Sequence, residues 1–123
     1  MKEGMLMPQS TTVSSMVMFL IAAVVGALGQ FLYKSGAEQT TAAWTSYVLN
    51  WRLLGGVVSY IAVMVLFIAA FKQGGSLTVL YPLYASTFIW AAFIGLWAYG
   101  TPIKPVNVAG MALLVSGMYF MGK

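Results

Sequence analysis

The chain has 123 residues, 61% of them hydrophobic and 7% charged, with a mean hydropathy of +0.89 and a net charge of +4. A soluble domain of this size needs many more charges to cover its surface, so the composition selects the bilayer as solvent. The only acids are Glu3 and Glu38, and Asp, His and Cys are absent; this excludes a His- or Cys-ligated metal, a His base, a Cys nucleophile and any disulfide.

Residues 1–12 are polar and read as a flexible N-terminus, leaving 13–123 as a single transmembrane domain. About 20 apolar residues cross a bilayer as a helix. The first such run is Val13–Tyr33. Lys2, the apolar stretch from Met16 and the Ala27-Leu28-Gly29 triplet loosely resemble a leader peptide. The run is longer than a usual leader core and further spans follow it, so it is read as a retained helix.

The longest link, Glu38 to Asn50, is followed directly by Trp51, and Trp44, Tyr47 and Trp51 suit a membrane interface. A short interfacial helix is expected there. The second span is Leu53–Phe71, the QGGS stretch at 73–76 is a tight turn, and the third span is Leu77–Tyr99. GTPIKP at 100–105 makes the next turn, since Pro102 and Pro105 interrupt a helix. The fourth span, Val106–Met121, is near the short limit. The spans are too long and too uniformly apolar for barrel strands. The expected fold is an all-α integral membrane protein of four transmembrane helices with short loops, assembled as a dimeric bundle.

With four spans, Lys2, Lys72 and Lys123 fall on one side and Lys34, Arg52 and Lys104 on the other. This balance gives no positive-inside bias. Either Lys34 lies within the bilayer edge and is not a loop charge, or the chain inserts in both orientations and pairs antiparallel. The cations form no basic run, so nucleic acid is not an expected partner.

Three groups of residues could carry function. Gly26, Gln30 and Lys34 recur every four residues on one face of the first span. They combine room, an amide and a cation, which suits a phosphate head group; the plainer alternative is a lysine snorkelling to the interface as an anchor. Tyr60 in the second span and Tyr81, Tyr84 and Trp90 in the third form an aromatic set. Pro82 frees a backbone carbonyl beside Tyr81, as a bend next to a pocket allows, although ordinary helix packing uses the same residues. In the fourth span Gly110 and Gly117 are seven residues apart, a spacing that lets helices approach closely, either across a dimer seam or within one chain.

Together these stretches resemble the drug/metabolite transporter superfamily, specifically its four-span members. Those include the small multidrug resistance transporters and the small paired subunits proposed to flip aminoarabinose-linked undecaprenyl phosphate. The resemblance extends from Met16 to Met121. GALGQFLYKSG resembles the first-helix pattern, with Gly29 and Lys34 matching its recurring glycine and lysine. LTVLYPLYASTFIW resembles the third-helix pattern: Tyr81 matches a substrate-site tyrosine and Tyr84 falls where drug exporters carry tryptophan. GMALLVSG resembles the fourth-helix dimerisation pattern.

Two departures are informative. The position of the exporters' proton- and cation-binding glutamate is Gly26 here, and Gly100 and Thr101 stand where the superfamily often has a glutamate after the third helix. Gln30 followed by Lys34, and the Tyr81-Pro82 pair, resemble the lipid-flippase branch. The resemblance implies a carrier in the bacterial inner membrane that moves a polyprenyl-phosphate-linked sugar or similar anionic lipid. Lys34 would hold the phosphate, with Arg52 at the membrane edge and Gln30, Tyr60, Tyr81 and Tyr84 along the head-group path. The partner would be an identical chain or a homologous small subunit. No cofactor is expected, because no Gly-rich nucleotide loop is present. Two other functions compete: export of organic cations or polyamines, which needs an acid from elsewhere, and a non-transporting scaffold subunit. An enzyme is not expected, since no acid–base pair sits at membrane depth.

Overall fold

The computed structural model describes residues 11–123, and among these the regular structure is entirely helical. Most of the expected N-terminal tail, with Lys2 and Glu3, lies outside the described residues. Helix α1 spans Val13–Ala37, the one-turn α2 Thr45–Val48, and α3 Trp51–Lys72. The third apolar run is divided into α4, Leu77–Tyr84, and α5, Thr87–Tyr99; α6 spans Pro105–Met121. Three stretches are long and apolar enough to cross a membrane, Val13–Ala37, Trp51–Lys72 and Leu77–Tyr99, and this fits a membrane helical protein.

Local chemistry sets the ends. Thr12 caps α1 by accepting from the Ser15 amide, Asn50 caps α3, and Ser76 caps α4 by accepting from the Val79 amide. Gly100, with φ of 66°, takes the left-handed conformation that closes α5. Helix α1 continues one turn beyond the expected Tyr33, so Lys34 lies inside its last turn. Pro82 has no N–H to give the Thr78 carbonyl. The chain leaves the α-helix at Ala85–Ser86, where Ala85 and Ser86 donate three residues back, to Pro82 and Leu83.

Helices α1 and α3 form an antiparallel pair, tied at both ends. At one end the buried Ser15 hydroxyl reaches the Ala70 carbonyl at 2.9 Å and the Gly74 carbonyl at 2.7 Å. At the other, the Asn50 amide nitrogen donates to the Gly36 carbonyl at 2.8 Å while its oxygen caps Arg52 and Leu53. Between them Gly56 lets the backbones close in: a Cβ there would sit 2.5 Å from the Tyr33 ring and 3.2 Å from the Gly29 carbonyl. The apolar centre is Phe19, stacked on Phe67 at 4.4 Å and edge-on to Phe71, with Ala70 and Leu80 also buried.

Helices α4 and α5 pack on α1, and α6 packs mainly on α4. Helix α6 contains no buried residue. Large apolar side chains such as Val58, Ile61, Val65 and Ile68 point outward from α3. In water they would form an exposed apolar surface of a size that monomers avoid; against lipid the same surface is matched to its surroundings. Trp44, Tyr47 and Trp51 are exposed around the interfacial link, as an aromatic belt requires.

Candidate functional site

A side groove of about 330 Å³ opens between α1, α5 and the start of α6. Helix periodicity places Gln30 and Lys34 on it from α1, one turn apart. Tyr99 at the end of α5, Thr101 in the following turn and Asn107 in the first turn of α6 supply the other polar groups. Ala27, Ala91, Ala92 and Ile94 make the apolar wall. One end of the groove is therefore polar and the rest is greasy, a form that accepts an amphipathic molecule.

Lys34 is not alone. Its ammonium is 3.9 Å from a Glu38 carboxylate oxygen and 4.9 Å from the centre of the Tyr99 ring. The Tyr99 hydroxyl donates to the other Glu38 oxygen at 3.1 Å. The lysine and the glutamate have 61% and 55% of their side chains exposed, so this pair is wet and exchangeable. An incoming anion can take the ammonium without a large desolvation cost.

The expected stripe of Gly26, Gln30 and Lys34 divides in two. Gln30 and Lys34 line the groove, whereas Gly26 is buried beneath the Tyr84 hydroxyl. Gln30 joins the two regions, since its amide nitrogen donates to the Tyr60 hydroxyl at 2.5 Å and Tyr60 in turn donates to the Gly26 carbonyl at 3.4 Å. Tyr60 also stacks on Tyr33, with centroids 5.3 Å apart. Tyr84 meets Phe67 edge-on at 5.1 Å and stacks with Tyr81 at 6.4 Å. None of Tyr60, Tyr81 and Tyr84 lines the groove; Tyr60 is tied to it through Gln30, and Tyr81 is exposed. Arg52 does not line the groove; it lies on the interfacial end of α3, its guanidinium 5.0 Å from the Trp51 ring.

Four polar residues of the site were not anticipated from the sequence: Tyr99, Thr101 and Asn107, which line the groove, and Glu38, which pairs with Lys34 beside it. Glu38 had a legible signal, because a glutamate four residues after a lysine is a helical pair once α1 is extended by a turn. The other three come from the end of α5, its following turn and the first turn of α6, and no local spacing announces them. No family model, curated protein or solved structure matches the chain.

Proposed function

We propose that the chain is a four-span carrier in the bacterial inner membrane that works as a dimer and moves an anionic lipid of the polyprenyl-phosphate-linked sugar class between leaflets. The observation that carries the reading is the groove beside α1, with an exposed ammonium at its polar end and an alanine-rich wall along the rest. A phosphate-bearing head group fits the polar end, and its chain can stay against the apolar wall and the surrounding lipid. The resemblance to the lipid-flippase branch at Gln30, Lys34 and Tyr81-Pro82 supports the same class. With no nucleotide site in the sequence, movement runs downhill or on a gradient.

Helix α6 supplies the fourth span. Its 17 residues extend about 26 Å at ~1.5 Å per residue, close to the ~30 Å hydrocarbon thickness. Its lack of buried residues, and the open space around Gly110 and Gly117, favour a partner helix on its outer face.

One observation favours a second reading, export of organic cations. Glu38 and the Tyr99 ring together are elements of a cation site. Native mass spectrometry of protein released gently from its own membrane separates the two. A dimer retaining a polyprenyl-phosphate species, lost in Lys34→Ala, is the expected outcome. A dimer with no such lipid that binds added organic cations would replace the lipid reading with the exporter.

A further inference from the structure

Tyr99 holds the last turn of α5 to α1. Its hydroxyl donates to the carboxylate of Glu38, the residue that caps α1, at 3.1 Å. Its ring meets Phe31 edge-on at 6.0 Å, and the Lys34 ammonium lies 4.9 Å from the ring centre. Little else secures this turn. Helix α5 has no buried residue, and Trp97 is 82% exposed. A Cβ added at Gly95 would reach only Thr101, at 4.0 Å, and one added at Gly100 would meet nothing within 4 Å. Among the described residues no other side-chain hydrogen bond joins α5 to α1 or to its cap. The bond crosses the polar end of the groove, because Tyr99 lines it from α5 and Glu38 stands on the α1 side beside Lys34.

Glu38 therefore serves two partners. It pairs with Lys34, which the proposed ligand claims, and it accepts from Tyr99, which closes α5 onto α1. A phosphate on Lys34 brings a second anion against the carboxylate. Two anions beside one ammonium repel, and the lysine offsets only one of them. The Glu38 side chain is 55% exposed, so it is free to swing into water. When it swings away, Tyr99 loses its acceptor. We propose that the Tyr99–Glu38 hydrogen bond is a latch across the polar end of the groove, released by an anion on Lys34, so that ligand binding itself loosens the end of α5. The trigger rests on the anionic-lipid reading; the latch does not.

The chain has no cysteine, so paired spin labels go only where cysteines are placed. One pair, Ala37→Cys with Trp97→Cys, spans the latch at exposed positions outside the groove lining. A reference pair, Val17→Cys with Ile68→Cys, spans the α1–α3 seam at exposed positions. Pulsed dipolar distances are read in phosphatidylcholine nanodiscs, with labelled chain diluted into unlabelled chain. Tyr99→Phe keeps the ring and loses the donor; it should raise the fraction with a lengthened latch distance about fivefold, the worth of one hydrogen bond. Saturating decyl phosphate should do the same to the wild type. Glu38→Gln keeps an acceptor for Tyr99 but carries no charge, so decyl phosphate should no longer lengthen the distance. The reference pair should stay constant throughout, whereas a general packing defect would move both pairs.

The outcomes separate latch from trigger. An unchanged distance in Tyr99→Phe, or a shift of both pairs, overturns the latch whatever the ligand is. Lengthening in Tyr99→Phe with no response to bound decyl phosphate, or a response that persists in Glu38→Gln, overturns release by the anion and leaves the lipid-carrier reading standing. Failure of decyl phosphate to bind the same discs, measured against empty discs, overturns the carrier reading and the trigger, while Tyr99→Phe still decides the latch. Inorganic phosphate, which lacks the chain, should need at least tenfold higher concentration to open the latch; equal potency would make a free phosphate the trigger and overturn the lipid as its source.

Discussion

The Tyr84 hydroxyl occupies the space where a side chain on Gly26 would begin, and the ring carbon bearing it lies 3.1 Å from that point. A glycine on α1 thus receives a tyrosine from α4, in the position where the resemblance to drug exporters would put a glutamate. Gly26→Ala should destabilise the protein by about 1–3 kcal/mol, the usual cost of an extra carbon in a packed site. Tyr84→Phe removes the closest atom. The double variant should therefore be more stable than the sum of the single effects predicts. Thermal unfolding of all four proteins in one detergent measures the coupling; strict additivity would show that Tyr84 does not fill the Gly26 position.

Ser15 is fully buried and holds the α1 start to the α3–α4 turn through two carbonyls, at 2.9 and 2.7 Å. Ser15→Ala should cost about 1 kcal/mol, and Ser15→Val more, because the larger side chain also presses on Ala70. Hydrogen exchange adds a local readout: the amides around Gly74 should exchange faster in Ser15→Ala, while those at the Asn50 end stay protected. Equal acceleration at both ends would mean that the two ties are not independent.

Much of the fold could be read from apolar runs alone, because in lipid a backbone has few alternatives to a helix. The limits of the elements followed other physics. Hydropathy falls at Lys34, yet α1 continues to Ala37, since its last turn keeps its hydrogen bonds and the buried Asn50 amide caps the Gly36 carbonyl. Pro82 signalled a bend in the third run, but the break settles at Ala85–Ser86, where the backbone changes to shorter-range bonds. Within the site, Gln30 and Lys34 were legible because helical spacing brings them together. The Gln30–Tyr60 bond joins residues 30 apart, and the Tyr99–Glu38 bond residues 61 apart, through packing that periodicity does not encode.

The ion pair of Lys34 and Glu38 makes a signed prediction. If the lysine is the anion-binding group, Glu38 competes with the ligand for it. Glu38→Gln should raise the affinity for decyl phosphate by about two- to fivefold, the range set by an exposed pair worth ~0.4–1 kcal/mol. The gain should shrink as salt is added. Lys34→Ala should remove binding altogether. Loss of organic-cation binding in Glu38→Gln, with no change for the phosphate, would instead move the function to the carboxylate.

Gly110 and Gly117 differ from the glycines of the α1–α3 seam in one respect that makes the dimer testable. A Cβ added at either meets nothing within 4 Å, whereas at Gly56 it meets the Tyr33 ring at 2.5 Å. Leucine at Gly117 is therefore accommodated by the protomer itself, and any defect it causes belongs to an interface with another chain. Gly117→Leu and Gly110→Leu should insert and melt as the wild-type protomer does, yet yield no crosslinked dimer in membranes. Gly56→Ala should do the reverse, lowering the melting temperature by several degrees through overpacking while the surviving folded protein still crosslinks. A dimer that persists in both α6 variants would place the seam on another face, and the exposed apolar side of α3 would be the next surface to probe by the same substitution.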